Sequence, residues 1–164
     1  DSDAVGLFGR RVAKRNDRFA LFALEGARQA LEDAALFVDG TLKEEGGVIV
    51  GTGIGGVTTM LADYDELKSS GPRHVSALLA PMMMPNAASA AVAITYGLQG
   101  PNFTIVSVCA TGSHAIGEAG EIIKSGRAPV MVAGGREAAI GPLSVTGFSK
   151  MGALSTRNDE PQRA

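Results

Sequence analysis

Between Val75 and Gly117 the chain carries no Asp, Glu, Lys or Arg, and this uncharged stretch constrains the fold more than any other feature. A run of that length can leave water by crossing a bilayer or by forming the interior of a globular domain. Pro81, Pro85, Asn86, Pro101 and Asn102 interrupt it. A lipid-spanning helix, which must satisfy every backbone polar group internally, does not carry such residues at that density. The stretch therefore reads as the buried heart of a globular protein, with no membrane span. At 164 residues and 45% hydrophobic content, the chain is long enough for one domain with a core of its own.

A formal net charge of −2 argues against a general nucleic-acid binder. One cysteine excludes an internal disulfide, and with only two histidines the chain offers little for a metal centre. No leader pattern follows Asp1, and the lone thiol fits a reducing, cytosol-like compartment. The 22 glycines fall at the ends of periodic segments, which points to tight turns and close backbone approaches rather than disorder.

Asn16 or Asp17 can cap a helix whose apolar positions Ala20, Leu24, Ala27, Leu31 and Ala34 recur at helical spacing, with Glu25, Arg28, Gln29 and Glu32 on the opposite face. Val48 to Val50 form a short β-branched run, followed by glycines and a second helical segment that stops at Gly71-Pro72. Asn86 opens a small-residue helix ending at Gly97. Phe103 to Val108 read as a strand, Gly112 to Ser125 as a helix closed by Gly126, and Val130 to Ala133 as another strand. Strand, helix, strand in that order implies βαβ crossovers with parallel pairing, so the fold class is α/β.

Cys109 falls where the strand ends and the helix begins. Free amides and partial positive charge at a helix N-terminus favour the thiolate, and the same amides stabilise an oxyanion formed when sulfur attacks a carbonyl. A small buried hydrophobe is the other reading of a lone cysteine, and the residues alone leave both open. His114 lies five positions on, roughly 140° round a helix from Cys109, and faces elsewhere. His74, beside Arg73 and Gly71-Pro72, reads as a surface loop residue. A nucleophilic Cys109 thus has no acid–base partner within the chain.

The segment Gly51 to Gly56, GTGIGG, has the G-x-G-x-x-G spacing of dinucleotide-binding loops. That motif also requires an acidic residue at the end of a second strand about 20 residues on. Asp63, Asp65 and Glu66 come too early and lie in a helical segment, which argues against a nicotinamide or flavin site. The glycines are expected instead to let the backbone pass close to another chain or an acyl ligand. Ile54 stands among them as the one bulky side chain.

The segments VSVCATGSHAIGEA, VIVGTGIGG, GPRHVSALLAPMMMPNAAS, YGLQGPN, VMVAGG and GFSKMGALSTRNDEPQRA follow one another as in the elongating β-ketoacyl-acyl carrier protein synthases. From about Arg10 to Ala164 the chain resembles that family, particularly the type II condensing enzymes of fatty acid synthesis. Cys109-Ala110-Thr111-Gly112 is closer to these than to modular polyketide ketosynthases, and Cys109 itself sets the chain apart from chain-length-factor paralogues. Two departures are Val108, where a small residue is usual, and Arg136, where a small or hydroxyl residue is common.

The resemblance implies a thiolase-like α/β fold, of which residues 1–164 look like a partial N-terminal ketoacyl synthase domain. The family's first strand and whole C-terminal half lie outside it. It implies that Cys109 takes an acyl group as a thioester, contributes its backbone amide to the oxyanion site, and passes the acyl group to a malonyl-carrier thioester in a decarboxylative Claisen condensation. The family's two histidines and lysine belong to the second half, so this chain alone is expected to be inactive in condensation. Ile54 matches the residue at the bottom of the acyl pocket, and Leu79 one that closes the pocket from the neighbouring subunit of a homodimer. Phe103 to Val108 match the strand that pairs across the dimer axis. Arg11, Lys14 and Arg15 match the patch that docks the acidic acyl carrier protein, within the cluster Arg10, Arg11, Lys14, Arg15 and Arg18. No metal or bound cofactor is implied, because the substrates ride on the carrier's phosphopantetheine. The expected location is the bacterial cytoplasm, or an organellar stroma or matrix. Two other functions fit the same residues: a catalytically silent acyl- and carrier-binding or dimerisation module, and a polyketide ketosynthase.

Overall fold

The computed structural model describes residues 3–36 and 38–163. Its sheet is parallel: β1 (Gly47–Gly51) lies between β2 (Asn102–Phe103) and β3 (Met131–Gly135). Around it are α1 (Ala4–Ala13), α2 (Arg18–Asp33), α3 (Gly40–Glu45), α4 (Val57–Ser70), α5 (Leu79–Met83), α6 (Ala87–Tyr96), α7 (Thr111–Lys124) and α8 (Pro142–Lys150).

Every residue of β1 is buried, as expected of a parallel strand covered on both faces. Because side chains alternate along a strand, Val48 and Val50 join Phe19 and Leu24 of α2 and Val92 of α6 in one cluster. Ile49 points the other way, into a second cluster with Ala115, Ala119 and Ile122 of α7. Helices thus sandwich the sheet, with α2 and α6 on one face and α7 on the other.

Asp17 is the cap of α2, accepting from the Phe19 N–H at 3.2 Å. Ala20, Leu24, Ala27 and Leu31 are buried, whereas Ala34 is exposed at the helix end. The helix at Asn86 and its left-handed glycine stop at Gly97 are as expected. The other expected elements shift slightly at their ends, to Thr111–Lys124 and Met131–Gly135. Helices α1 and α8 are not among the expected elements; α1 is capped by Asp3 and contains Gly9 at φ +79°, a break in its helical backbone.

The strand expected over Phe103 to Val108 is not formed: pairing with β1 ends at Phe103 opposite Ile49. Beyond that point, side chains rather than a main-chain ladder hold the segment to β1. The Thr104 hydroxyl donates to the Val50 carbonyl at 2.6 Å. The fully buried Ser89 hydroxyl accepts from the Val50 N–H at 2.8 Å and reaches the Val50 and Phe103 carbonyls at 3.1 and 2.9 Å.

The uncharged stretch is also only partly the buried heart expected of it. Ala88, Ser89, Ala91, Val92, Ala93, Leu98, Thr111 and Ala115 are buried, but Ile94, Val106, Val108 and Ile116 are exposed. Helices α6 and α7 each bury one face against the sheet layers and leave isolated apolar residues, Ile94 and Ile116, exposed on the other.

One buried carboxylate joins two helix N-termini. Asp17, 4% exposed, caps α2 through one oxygen and accepts from the Thr59 N–H (3.0 Å) and hydroxyl (2.6 Å) in the first turn of α4 through the other. Both helix dipoles favour the negative charge there. Asp17→Ala should lower stability by about 2–3 kcal/mol, and Asp17→Asn by less, in denaturant unfolding. An unchanged midpoint in the Ala variant would show that water replaces these bonds at no cost.

Candidate active site

The carboxyl ends of parallel strands are where open α/β sheets hold their ligands. Here the end of β1, the end of β3 and the 3-10 turn Val108–Ala110 that leads into α7 enclose a cavity of about 440 Å³. Ile54, Cys109, Thr111 and Glu137 line it, with Phe148 of α8. The structure thus brings Cys109 and Ile54, separate in sequence, to one cavity.

Cys109 is exposed and is the middle residue of that turn, two residues before α7 begins. Ala110 occupies the N-cap of α7 and no side chain bonds the helix start, so the thiol sits beside an uncapped, electropositive terminus. Thr111 braces the turn: its hydroxyl accepts from the Ser107 N–H at 2.9 Å and donates to the Val108 carbonyl at 2.7 Å. Val108 has φ +52°, a left-handed conformation that is costly for a β-branched residue. The departure from a small residue before the cysteine therefore falls on a strained position.

His114 does not face Cys109. Its Nδ1 lies 2.7 Å from the Ser107 Oγ, and it is absent from the cavity lining. His74 is exposed, with Nδ1 2.8 Å from the Ser70 carbonyl oxygen. Leu79 opens α5, half-buried and away from the cavity lining. Arg11, Lys14 and Arg15 are exposed around the C-terminal end of α1, where cations complement the helix dipole. They have no ion pair among the described residues. Arg136 places its guanidinium carbon 4.7 Å from the Phe22 ring centroid, a cation–π contact.

Within the chain, two glycines of the segment let its backbone pass close to α5. A β-carbon on Gly56 would strike the Met82 carbonyl and lie 2.7 Å from Met83 Cα, and one on Gly55, at φ +85°, would lie 2.8 Å from the Met83 oxygen. The backbone that approaches is α5. Glu137 was not legible as a partner of this loop, because 83 to 85 residues separate it from the groups it binds. Its Oε2 accepts from the Thr52 hydroxyl (3.0 Å), the Gly53 N–H (3.0 Å) and the Ile54 N–H (2.9 Å).

Fold and site together define an α/β domain that presents a cysteine in the turn entering a helix, at the carboxyl edge of a parallel sheet. The chain belongs to the β-ketoacyl synthase family, whose N-terminal domain matches residues 3–164. It is 44% identical over all 164 residues to 3-oxoacyl-(acyl-carrier-protein) synthase 2 of Coxiella burnetii, and spans 40% of that protein. It is likewise 44% identical over 164 residues to the protein of the same name from Synechocystis, spanning 39% of it. Among solved structures, a β-ketoacyl synthase from Burkholderia phymatum matches with a TM-score of 0.78 and 29% identity, over 98% of this chain and 38% of that one. A type II polyketide ketosynthase, solved in complex with its acyl carrier protein, matches in fold with a TM-score of 0.83 and 24% identity, over 94% of this chain and 45% of that one. The fold is thiolase-like, as the sequence resemblance implied.

The contact that seats α7 is asymmetric, and this can be tested. A β-carbon on Gly135 would lie 2.8 Å from Gly112 Cα, whereas one on Gly112 would find Gly135 N at an ordinary 3.5 Å. Gly135→Ala should destabilise by about 1–3 kcal/mol through overpacking. Gly112→Ala, within α7, should be neutral or stabilising by up to about 1 kcal/mol. Equal losses in chemical denaturation would contradict this account of the contact.

Proposed function

We propose that the complete protein is an elongating acyltransferase that condenses an acyl thioester held on Cys109 with a malonyl thioester on acyl carrier protein, in fatty acid synthesis. The observation that carries this reading is the only thiol of the chain standing at the uncapped start of α7, in the cavity that Ile54 borders. The names and the 44% identity of the relatives support the fatty acid rather than the polyketide reaction. The chain spans about two fifths of the length of those relatives.

In this reading the Cys109 thiolate attacks the carbonyl of the incoming acyl thioester. A tetrahedral oxyanion forms beside the main-chain amides at the turn, and collapses with expulsion of the carrier's thiolate. Loss of carbon dioxide from the malonyl thioester leaves an enolate, whose carbon attacks the acyl-Cys109 carbonyl. The new carbon–carbon bond forms as the Cys109 thiolate departs. His114 and His74, turned to Ser107 and Ser70, are not placed to assist decarboxylation, so the acid–base groups come from elsewhere in the complete protein.

The same proposal gives Arg11, Lys14 and Arg15 the docking of the acidic carrier protein. It gives 103–108 the pairing edge of a homodimer, with Leu79 of the partner subunit closing the acyl pocket. It requires no bound cofactor or metal, since phosphopantetheine arrives on the carrier, and it places the protein in the cytoplasm or an organellar equivalent. No helix among the described residues is long and apolar enough to cross a membrane.

Peptide mass spectrometry of the complete protein after incubation with an acyl carrier thioester should find the acyl group on Cys109; an adduct on Ser107 or Ser113 instead would overturn the assignment. Ile54→Phe should penalise long primers far more than short ones, because an added ring overfills the cavity. Equal loss at all chain lengths would make Ile54 part of the scaffold rather than the boundary of the pocket.

A further inference from the structure

We infer that Glu137 is a positioning residue that holds Ile54 at the boundary of the Cys109 cavity and thereby sets the acyl length the site accepts. The inference rests on the reading of Ile54 as the end of an acyl pocket. It adds the residue that keeps that end in place.

On its C-terminal side the loop is seated against α5, but the Ile54 side chain itself is loosely packed. It is 43% exposed, so packing restrains it weakly, and it is flanked by Gly53 and Gly55, which have no side chains to brace the loop. Its main-chain N–H and that of Gly53 both donate to Glu137 Oε2, at 2.9 and 3.0 Å. The Thr52 hydroxyl, donating to the same oxygen, also accepts from the Gly55 N–H at 3.0 Å. One carboxylate oxygen therefore gathers the loop on both sides of Ile54, through charge-assisted bonds stronger than neutral ones.

Glu137 is itself fixed from the opposite side of the cavity. The Arg136 N–H donates to the Gly51 carbonyl at 2.9 Å, carrying the β1–β3 ladder one residue past Gly135. The Ala138 N–H reaches the other carboxylate oxygen at 3.3 Å. The end of the β1–β3 ladder thus carries the clamp, and the group it holds is the glycine loop with its single bulky side chain. Removal of the carboxylate frees Ile54 to swing out of the cavity and admit longer chains.

The test is a double-mutant cycle in the complete protein, read as the ratio of rates with long and short acyl-carrier primers. Glu137→Ala should shift that ratio toward long primers by about tenfold, the scale of one or two methylenes in an apolar pocket. Glu137→Gln, which keeps an acceptor oxygen, should restore the original ratio. In an Ile54→Ala background Glu137→Ala should have no further effect on the ratio, because it acts through Ile54. A uniform fall in rate at every length, or the same shift in both backgrounds, would overturn the inference while leaving the condensing function intact. Absence of acyl-Cys109 in the unaltered protein would remove that function and this inference with it. Hydrogen exchange gives a readout independent of activity: the Ile54 amide should exchange faster in Glu137→Ala, and unchanged exchange would refute the clamp.

Discussion

The first turn of α7 rests against the ends of β1 and β3 with no room for a β-carbon on either Gly51 or Gly135. A β-carbon on Gly135 would press on Gly112, and one on Gly51 would collide with the Thr111 side chain and lie 2.6 Å from the Ile105 carbonyl oxygen. This close seat fixes where the helix starts, and the helix start fixes where Cys109 stands. A larger gap would move the thiol away from the strand ends and separate it from Ile54 and Glu137, which reach the cavity from β1 and β3. The strained φ of Val108 belongs to the same constraint: the 3-10 turn Val108–Ala110 must deliver the chain directly into α7. Thr111, with bonds to both Ser107 and Val108, holds the tight turn closed.

The uncharged stretch acquires a different meaning in this setting. Lack of charge over 75–117 does not mark burial within the chain, because Ile94 is 82% and Val108 77% exposed. Ile94 lies on α6, and Val108 lines the mouth of the Cys109 cavity. These exposed apolar residues, with the segment 104–107 whose outer backbone joins no strand, have the composition of an interface. Charge depletion by itself does not distinguish a buried core from an exposed apolar surface.

How much of this was legible in the sequence follows the range of the interactions. Helix α2, its Asp17 cap and the Gly97 stop of α6 are local patterns, and each forms where the spacing of apolar and capping residues places it. The strand at Val48 to Val50 is legible for the same reason, since a β-branched run between glycines encodes a buried parallel strand. The expected strand over Phe103 to Val108 fails beyond its first residue because Ser89 and Thr104, not main-chain partners, satisfy the Val50 and Phe103 carbonyls. No periodicity in 103–108 carries that information. Cys109 and Ile54 were legible as candidates from their turns, but their meeting in one cavity depends on the sheet order. Glu137 was invisible, since nothing near it in sequence indicates a partner more than 80 residues away.

The GTGIGG segment shows why a spacing alone does not define a ligand. In a dinucleotide site the amides of the glycine turn and helix start are left free to bind phosphate oxygens. Here each amide from Gly53 to Val57 already has an acceptor within the chain. Gly53 and Ile54 donate to Glu137, Gly55 to the Thr52 hydroxyl, Gly56 to the Met83 carbonyl and Val57 to the Gly55 carbonyl. A pyrophosphate would have to displace a carboxylate and also break main-chain bonds to α5, against whose backbone Gly56 is packed. The glycines therefore serve the same geometric need as in a nucleotide site, close approach of backbone to something bulky, but what approaches is α5 and the negative charge is internal. The turn that would grip a diphosphate is thereby occupied, and its one bulky side chain, Ile54, lines the same cavity as the thiol.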